Sequence, residues 1–265
     1  MQITPGTRAL ITGASRGIGR ALAHDLAARG AVLGLAARST GELQALASEL
    51  PGEHHVLACD VTDAESVRGA VSGFVERAGG IDLLVANAGI THYEPFRDQS
   101  LDDALAMSQV NWHGTLHTVH AGLPHLLDRA HGHIVIVSSG AGLRSFPSAA
   151  VYGATKAAQR MFGEALRHEL SGTGVSLTVV FPGEIATGLH DHEKDRMPEW
   201  YRGGSDAVAP EQLARRIAAA IEADARALHH PPFIRLLGAL HGVSPRAADA
   251  LLRRLRGATA APRRD

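Results

Sequence analysis

The sequence predicts an α/β protein built on a doubly wound parallel sheet, with helices on both faces and a helical C-terminal extension. Three observations predict it. Short apolar, β-branched runs alternate with amphipathic helical patterns from Ala9 to Phe181. A glycine-rich turn joins the first run to the first helix. The alternation has no break, so residues 1–265 read as one domain despite a length that would allow two.

The elements follow in order. Ala9-Leu10-Ile11-Thr12 is the first strand, and Ala21, Leu22, Leu26 and Ala27 give the next helix its apolar face. Ala31 to Ala37 is the second strand, followed by a helix marked by Leu43, Leu46, Ala47 and Leu50. His55 to Cys59 is the third strand, and Val67, Ala70, Val71, Phe74 and Val75 mark the third helix. Ile81 to Ala86, Ile134 to Ser138 and Val175 to Phe181 are the remaining three strands. Long helical patterns run from Leu101 to about Leu127 and from Val151 to Leu170. After Phe181 the pattern changes. Residues 188–209 are polar, Pro210 to Ala227 reads as a helix, and residues 228–265 form an extension ending in an Arg-rich helix and a frayed tail from Ala260 to Asp265. Strands that each feed a helix, with right-handed crossovers, give a sheet covered on both faces. Ligands in such sheets bind at the carboxyl ends of the strands.

Composition narrows the function. A formal net charge of −1 gives no bulk attraction to nucleic acid or acidic membranes. No apolar run approaches the roughly 18 residues that span a bilayer. The first strand starts so early that the opening residues do not read as a signal peptide. The one cysteine, Cys59, forms no internal disulfide and reads as a buried small hydrophobe. A cytoplasmic protein is expected. Among 16 histidines, His113, His117 and His120 fall at helical spacing, but no carboxylate or cysteine completes a ligand set, so no metal is expected.

The first strand ends in Thr12-Gly13-Ala14-Ser15-Arg16-Gly17-Ile18-Gly19. Glycines let the backbone turn tightly beside a pyrophosphate, and the following helix offers unpaired N–H groups and a positive dipole end. Between a strand and a helix, this is the phosphate cradle of a Rossmann-type dinucleotide site. NAD enzymes of this architecture place an acid at the end of the second strand, on the ribose 2′-hydroxyl. Here that position is Ala37, followed by Arg38 and Ser39. Arg38, with Arg16 on the opposite side, suits a 2′-phosphate, so NADP(H) is the expected cofactor.

Tyr152 and Lys156 lie four apart at the start of a helix and share one face. A tyrosine with an ordinary pKa near 10 shuttles protons poorly at neutral pH. A neighbouring ammonium favours its phenolate. Ser138-Ser139 closes the fifth strand, where a hydroxyl can hold a substrate oxygen. Asn111 interrupts a helical run, which suggests a kink or a water-binding carbonyl.

These motifs together resemble the short-chain dehydrogenase/reductases, over about Thr7 to Thr187. Residues 12–19 resemble the family's cofactor turn. Asp60-Val61 resembles the pair that contacts adenine. Asn87-Ala88-Gly89 resembles the motif that stabilises the sheet and lines the cofactor. Asn111, Ser139, Tyr152 and Lys156 match the family's tetrad, Ser139 being chosen over Ser138 by spacing. Pro182-Gly183, Ile185 and Thr187 match the segment that holds the nicotinamide carboxamide. The resemblance implies hydride transfer between nicotinamide and a ketone or aldehyde. Tyr152 would be the acid/base, and Lys156 would bind the ribose and tune Tyr152. Ser139 would orient the carbonyl, and Asn111 would hold a water linking Lys156 to solvent. A homodimer or homotetramer is implied as well.

Residues 188–209 are expected to form a substrate lid, with Trp200 and Tyr201 better placed to cover substrate than His190 and His192. Thr91 to Phe96, Leu143 to Pro147 and the segment from Leu189 to Tyr201 are the expected pocket walls, and Arg144 would meet an acidic substrate or face water. The apolar stretch from Phe233 to Val243 is similar to extensions of family members that handle lipid-like ketones. Packing on the core or at a subunit interface is the preferred reading over membrane contact. A non-catalytic dinucleotide sensor, an NAD-linked alcohol dehydrogenase, and lyase or epimerase chemistry are the alternatives. The intact tetrad speaks against the sensor, and the small tail against the last.

Overall fold

The computed structural model describes residues 1–187 and 207–255. Among the described residues, seven strands form one parallel sheet in the order β3-β2-β1-β4-β5-β6-β7. They are β1 (Arg8–Thr12), β2 (Val32–Ala37), β3 (His55–Ala58), β4 (Leu83–Ala86), β5 (Gly132–Val137), β6 (Val175–Pro182) and β7 (Ala227–His230). The helices are α1 (Gly17–Ala28), α2 (Thr40–Glu49), α3 (Ala64–Ala78), α4 (Leu101–Met107), α5 (Gly114–Asp128), α6 (Ala150–Glu169), α7 (Pro210–Glu222), α8 (Phe233–Val243) and α9 (Pro245–Leu255).

Alternate residues of each strand point to opposite faces, so the sheet divides the core in two. Ile11, Leu33, Leu35, Val85 and Val135 pack with Leu22 and Leu26 of α1 and Ile217 of α7. Leu10, Leu84, Ile134 and Ile136 pack with Phe74 of α3, Val119 of α5 and Leu166 of α6. Arg8 locks β1 to the start of β4. Its Nε donates to Asp82 Oδ2 at 2.7 Å, and its backbone N–H donates to the same oxygen at 2.9 Å. Burial pushes the Asp82 carboxyl up, but the bonds from Arg8 outweigh it and hold it below its ordinary value.

Strand boundaries differ from the sequence reading by a residue or two, and two larger readings change. The helix expected from Pro210 to Ala227 stops at Glu222, where the backbone turns through Asp224 at φ 48°. The segment expected to open a C-terminal extension at 228 instead enters the sheet as β7, pairing Ala227 to His230 with Val179 to Pro182. The extension proper is α8 and α9. Residues 188–206 and 256–265 lie outside the described residues, and with them most of the expected lid, including His190, His192, Trp200 and Tyr201, and the tail from Ala260. No helix among the described residues is long and apolar enough to cross a membrane.

The pattern from Leu101 to Leu127 is continuous but changes pitch. Between α4 and α5 the segment Ser108–His113 is a π-helix, and Asn111 sits inside it. The kink expected from an asparagine in mid-helix is this widened turn. Such single turns recur at functional sites.

Candidate active site

At the carboxyl ends of the strands, where β1 and β4 part the chain to either side, lies a cleft of about 540 Å³. One side is built by the β1–α1 turn. Gly13 takes φ 67°, and a Cβ there would lie 2.8 Å from the Cα of Ala88. Gly17 takes φ 56° and opens α1, whose first turn has no side-chain cap. Those N–H groups therefore face the cleft without a protein partner from the cap residue. Gly19 does not line the cleft. It is a packing residue, since a Cβ there would run into the Gly13 carbonyl.

Asn87 clasps the two central strand ends. Its Nδ2 donates to the carbonyls of Thr12 at 3.0 Å and Gly13 at 3.1 Å, and its N–H donates to Thr12 Oγ1 at 3.2 Å. Ala37, Arg38 and Ser39 line the cleft at the end of β2, and Arg38 is exposed. Asp60 lies within its Coulombic reach. Its carboxyl is held below the ordinary value, first by the Thr62 N–H, then by the Thr62 hydroxyl and the Arg38 charge, against the opposing effect of burial. Cys59 also lines this end, but burial and the charges of Asp60 and Asp63 push its thiol up to about 11. That makes it a poor nucleophile.

At the other end, β5 delivers two serines with different fates. Ser138 is buried, and its Oγ donates to the Lys156 carbonyl at 2.7 Å, so it anchors α6. Ser139 lines the cleft, accepts from the Ala141 N–H at 3.1 Å and donates to no group among the described residues. The first turns of α6 bring Tyr152 and Lys156 to the same place. Lys156 Nζ lies 5.8 Å from the Tyr152 ring centroid and donates to the Val137 carbonyl at 3.0 Å. Burial lowers its pKa to about 7. The cation expected beside Tyr152 is therefore itself titratable near neutral pH. Pro182, Gly183, Ile185 and Thr187 close the cleft from β6 onward.

Asn111 stands behind this end rather than in the cleft wall. Its Oδ1 accepts from the Ile90 N–H at 2.8 Å, and its Nδ2 donates to the Ile90 carbonyl at 3.0 Å and to Thr155 Oγ1 at 3.1 Å. Its own carbonyl, expected to be open for water, accepts from Thr115 Oγ1 at 2.8 Å and from Gln159 Nε2 at 2.9 Å.

Three residues near the site were not singled out in the sequence. Tyr93 is 1% exposed, lines the cleft and meets the Tyr152 ring edge-on, with centroids 5.7 Å apart. Within the expected wall 91–96 it is Tyr93 that reaches the cleft, while Phe96 is exposed. Phe146 stands behind Tyr93 at 5.6 Å. Arg144 faces neither open water nor the cleft. Its Nη2 reaches Asp249 of α9 at 2.5 Å, while Ile234 of α8 sits over Gly140 and Gly183. With Tyr93 and Phe146, the third residue not singled out is Gln159, whose Nε2 donates to the Asn111 carbonyl. Aromatic residues in a short polar loop were the available signal for Tyr93; Gln159, one polar residue in an amphipathic helix, gave none.

The sheet order, with the cleft at its switch point, defines a Rossmann-type protein. The short chain dehydrogenase family profile matches residues 7–198. The chain is 36% identical to glycine betaine reductase of Emericella nidulans over 222 residues, which is 82% of this chain but 18% of that protein. Among solved structures it is similar to a short chain dehydrogenase/reductase from Burkholderia phymatum in complex with NAD. That match has a TM-score of 0.85 and 27% identity, and it covers 100% of both chains. It is also similar to an alcohol dehydrogenase from Thermococcus sibiricus complexed with 5-hydroxy-NADP, with a TM-score of 0.74, 30% identity and coverage of 84% of this chain and 94% of that one. The chain belongs to the short-chain dehydrogenase/reductase family, and is an oxidoreductase of the kind that acts on CH–OH and C=O groups.

Proposed function

We propose that the protein interconverts a ketone or aldehyde and an alcohol with NADP(H) as its cofactor. The observation that carries this reading is the convergence of Ser139, Tyr152 and Lys156 at one end of a cleft whose other end bears Arg16 and Arg38 and has Ala37 where an acid would exclude a 2′-phosphate. The cradle fits a dinucleotide. Gly13 and Gly17 take left-handed φ values that turn the backbone beside the cleft, and the uncapped start of α1 suits a pyrophosphate. The residues that would hold it are Gly13, Ser15, Arg16, Gly17 and Ile18 at the phosphates, Arg38 and Ser39 at the ribose, and Asp60 and Val61 at the adenine. Asn87, Ala88, Gly89, Tyr152 and Lys156 would follow along the nicotinamide ribose, and Pro182, Gly183, Ile185 and Thr187 at the carboxamide. When bound, it supplies the hydride donor or acceptor.

The chain's own residues do the rest. Ser139 donates to the substrate oxygen and holds it against Tyr152. Tyr152 gives its Oη proton to the nascent alkoxide, or takes one from the alcohol. Lys156 stabilises the phenolate while it is charged. Tyr93 and Ile90 supply an apolar wall, so an uncharged, hydrophobic or lipid-like carbonyl compound is the substrate class this end favours. A homodimer or homotetramer, paired through α6 where Met161 is exposed, and a reducing cytoplasmic setting for Cys59 complete the reading.

Tyr152→Phe tests it. The ring and its packing stay while the proton is lost, so kcat should fall about 10²–10⁴-fold with NADPH binding preserved. The wild type is first assayed by NADPH absorbance over a panel of ketones and alcohols. A phenylalanine variant that keeps wild-type turnover removes Tyr152 from the reaction. A wild type that binds NADPH yet turns over nothing in the panel supports a sensor instead.

A further inference from the structure

The helix α8 is apolar on two sides, and core packing accounts for only one of them. Ile234 lies against Gly140 and Gly183, and Gly238 lies against Leu143. At about 3.6 residues per turn, Phe233, Leu236 and Val243 fall on a stripe nearly opposite Ile234 and Gly238. They are 55%, 68% and 87% exposed, and half-buried Leu240 lies among them. A surface helix of a globular protein turns polar residues outward. Here the outward stripe is apolar, and no element among the described residues covers it.

Charge gathers in the same segment. The net charge of −1 conceals a split. Residues 233–265 hold seven arginines, no lysine and two aspartates, a net +5, so residues 1–232 carry −6. The one carboxylate within α8 and α9, Asp249, is taken by Arg144. Arg235 and Arg246 are exposed and form no ion pair among the described residues. An apolar stripe in such a segment fits an anionic lipid surface, where apolar side chains enter the headgroup boundary and guanidinium groups meet phosphates. The acidic remainder of the chain is repelled by that surface, so the extension alone can approach it. Symmetric pairing of two copies through α8 would instead bring two basic extensions together, which like charge opposes.

The stripe is also well placed. Gly140, which Ile234 touches, follows Ser139, and Gly183 lines the cleft. Gly238 and Asp249 hold Leu143 and Arg144 of the same loop. The extension is thus fixed to the segment that carries Ser139, at the end of the cleft away from Arg38.

We propose that the outer stripe of α8, together with Arg235 and Arg246, docks the protein on an anionic lipid surface, and that the carbonyl substrate reaches Ser139 from that surface. The delivery rests on the reading of an apolar carbonyl substrate; the docking does not.

Flotation with vesicles tests the docking, on the full chain and without cofactor. Wild type should float with vesicles of phosphatidylcholine and phosphatidylglycerol, stay behind with phosphatidylcholine alone, and be released by salt. Phe233→Ser with Leu236→Ser should weaken that binding about tenfold or more. Arg235→Gln with Arg246→Gln should do the same. Absence of binding to the anionic vesicles, or equal binding to neutral ones, overturns the proposal. Unchanged binding in the folded serine variant overturns the role of α8. A wild-type oligomer that the serine variant dissociates by light scattering, with no vesicle binding, makes the stripe a subunit interface instead. Should the serine variant fail to fold by circular dichroism, the glutamine variant still reads the docking. For delivery, a long-chain ketone carried in anionic vesicles should be reduced by NADPH faster than in neutral ones. The serine variant should erase that difference and keep wild-type turnover of a water-soluble ketone. Equal rates in the two vesicles overturn delivery. Tyr152→Phe should float as wild type does, so vesicle binding with no turnover of any ketone overturns the proposed reaction and leaves the docking standing.

Discussion

Ala37 and Arg38 decide how the proposed cofactor preference would be read. An exposed guanidinium beside a carboxylate-free strand end offers a 2′-phosphate a charge-assisted bond, and such bonds contribute more than neutral ones. Arg38→Ala should weaken NADPH binding roughly ten- to a hundredfold and barely change NADH. Ala37→Asp combined with Arg38→Ala should move preference toward NADH, because the new carboxylate repels the phosphate and accepts from the ribose hydroxyls. Titrations of both cofactors at one fixed ionic strength check this, since exposed charges are screened by salt. Equal losses for NADPH and NADH in Arg38→Ala would return it to the ordinary surface. At this scale much of the candidate site was legible in the sequence. Tyr152 and Lys156 were legible because helical spacing puts them on one face and the ordered motifs before them give the pair its weight. Ser138 and Ser139 were separable only by family spacing; the structure adds the physical reason, that Ser138 holds the Lys156 carbonyl. Gln159 was illegible because its partner, Asn111, lies 48 residues away.

Among the elements, α6 matters most for positioning, and a glycine sets how closely it lies on the sheet. A Cβ on Gly163 would come within 2.5 Å of Val179 Cγ2 in β6. Alanine normally favours a helix over glycine by about 1 kcal/mol. Here the overlap falls on a stiff β-branched side chain, and overpacking costs about 1–3 kcal/mol. Gly163→Ala should therefore be destabilising by about 1 kcal/mol and should lower turnover by shifting Tyr152 and Lys156. Thermal unfolding followed beside kcat tests it, and a variant more stable than wild type would show that α6 has room to spare. The strands up to β6 were legible from their apolar, β-branched runs. β7 was not, because Ala227-Leu228-His229-His230 has no such pattern and becomes a strand by pairing with β6. The end of α7 was overrun for the same reason: alanines at 223, 225 and 227 continue a helical composition while Asp224 turns the chain.

For the molecule as a whole, the largest share of acid sensitivity should trace to one buried imidazole, with His54, His229 and His230, also lowered by burial, adding to it. His133 of β5 is 0% exposed and bonded through Nε2 to Thr178 Oγ1 at 2.8 Å. Burial lowers its pKa from 6.5 to about 4. Between those values the unfolded chain binds a proton that the folded protein refuses. Stability is thus fully present above pH 6.5 and falls as the pH drops toward 4, by about 3 kcal/mol in all. His133→Leu should flatten that limb. Urea midpoints at pH values from 4 to 8 check it, and parallel curves for the two proteins would acquit His133.

The doubly wound plan was legible at this largest scale because every strand fed a helix. The docking of the extension was not, since the Arg144–Asp249 pair joins residues 105 apart and no local pattern announces it. One consequence of the strand order reaches beyond this chain. The proposed phosphate and 2′-phosphate contacts follow β1 and β2, and the proposed reaction chemistry follows β5 and α6, on opposite banks of the switch point bridged by the Thr12–Asn87 clasp. A mutation at the outer end of one bank, as at Arg38, should leave the geometry of Ser139 and Tyr152 on the other in place. A lineage built this way is free to exchange its reductant without relearning its substrate, and to acquire a new substrate without changing the currency in which it is reduced.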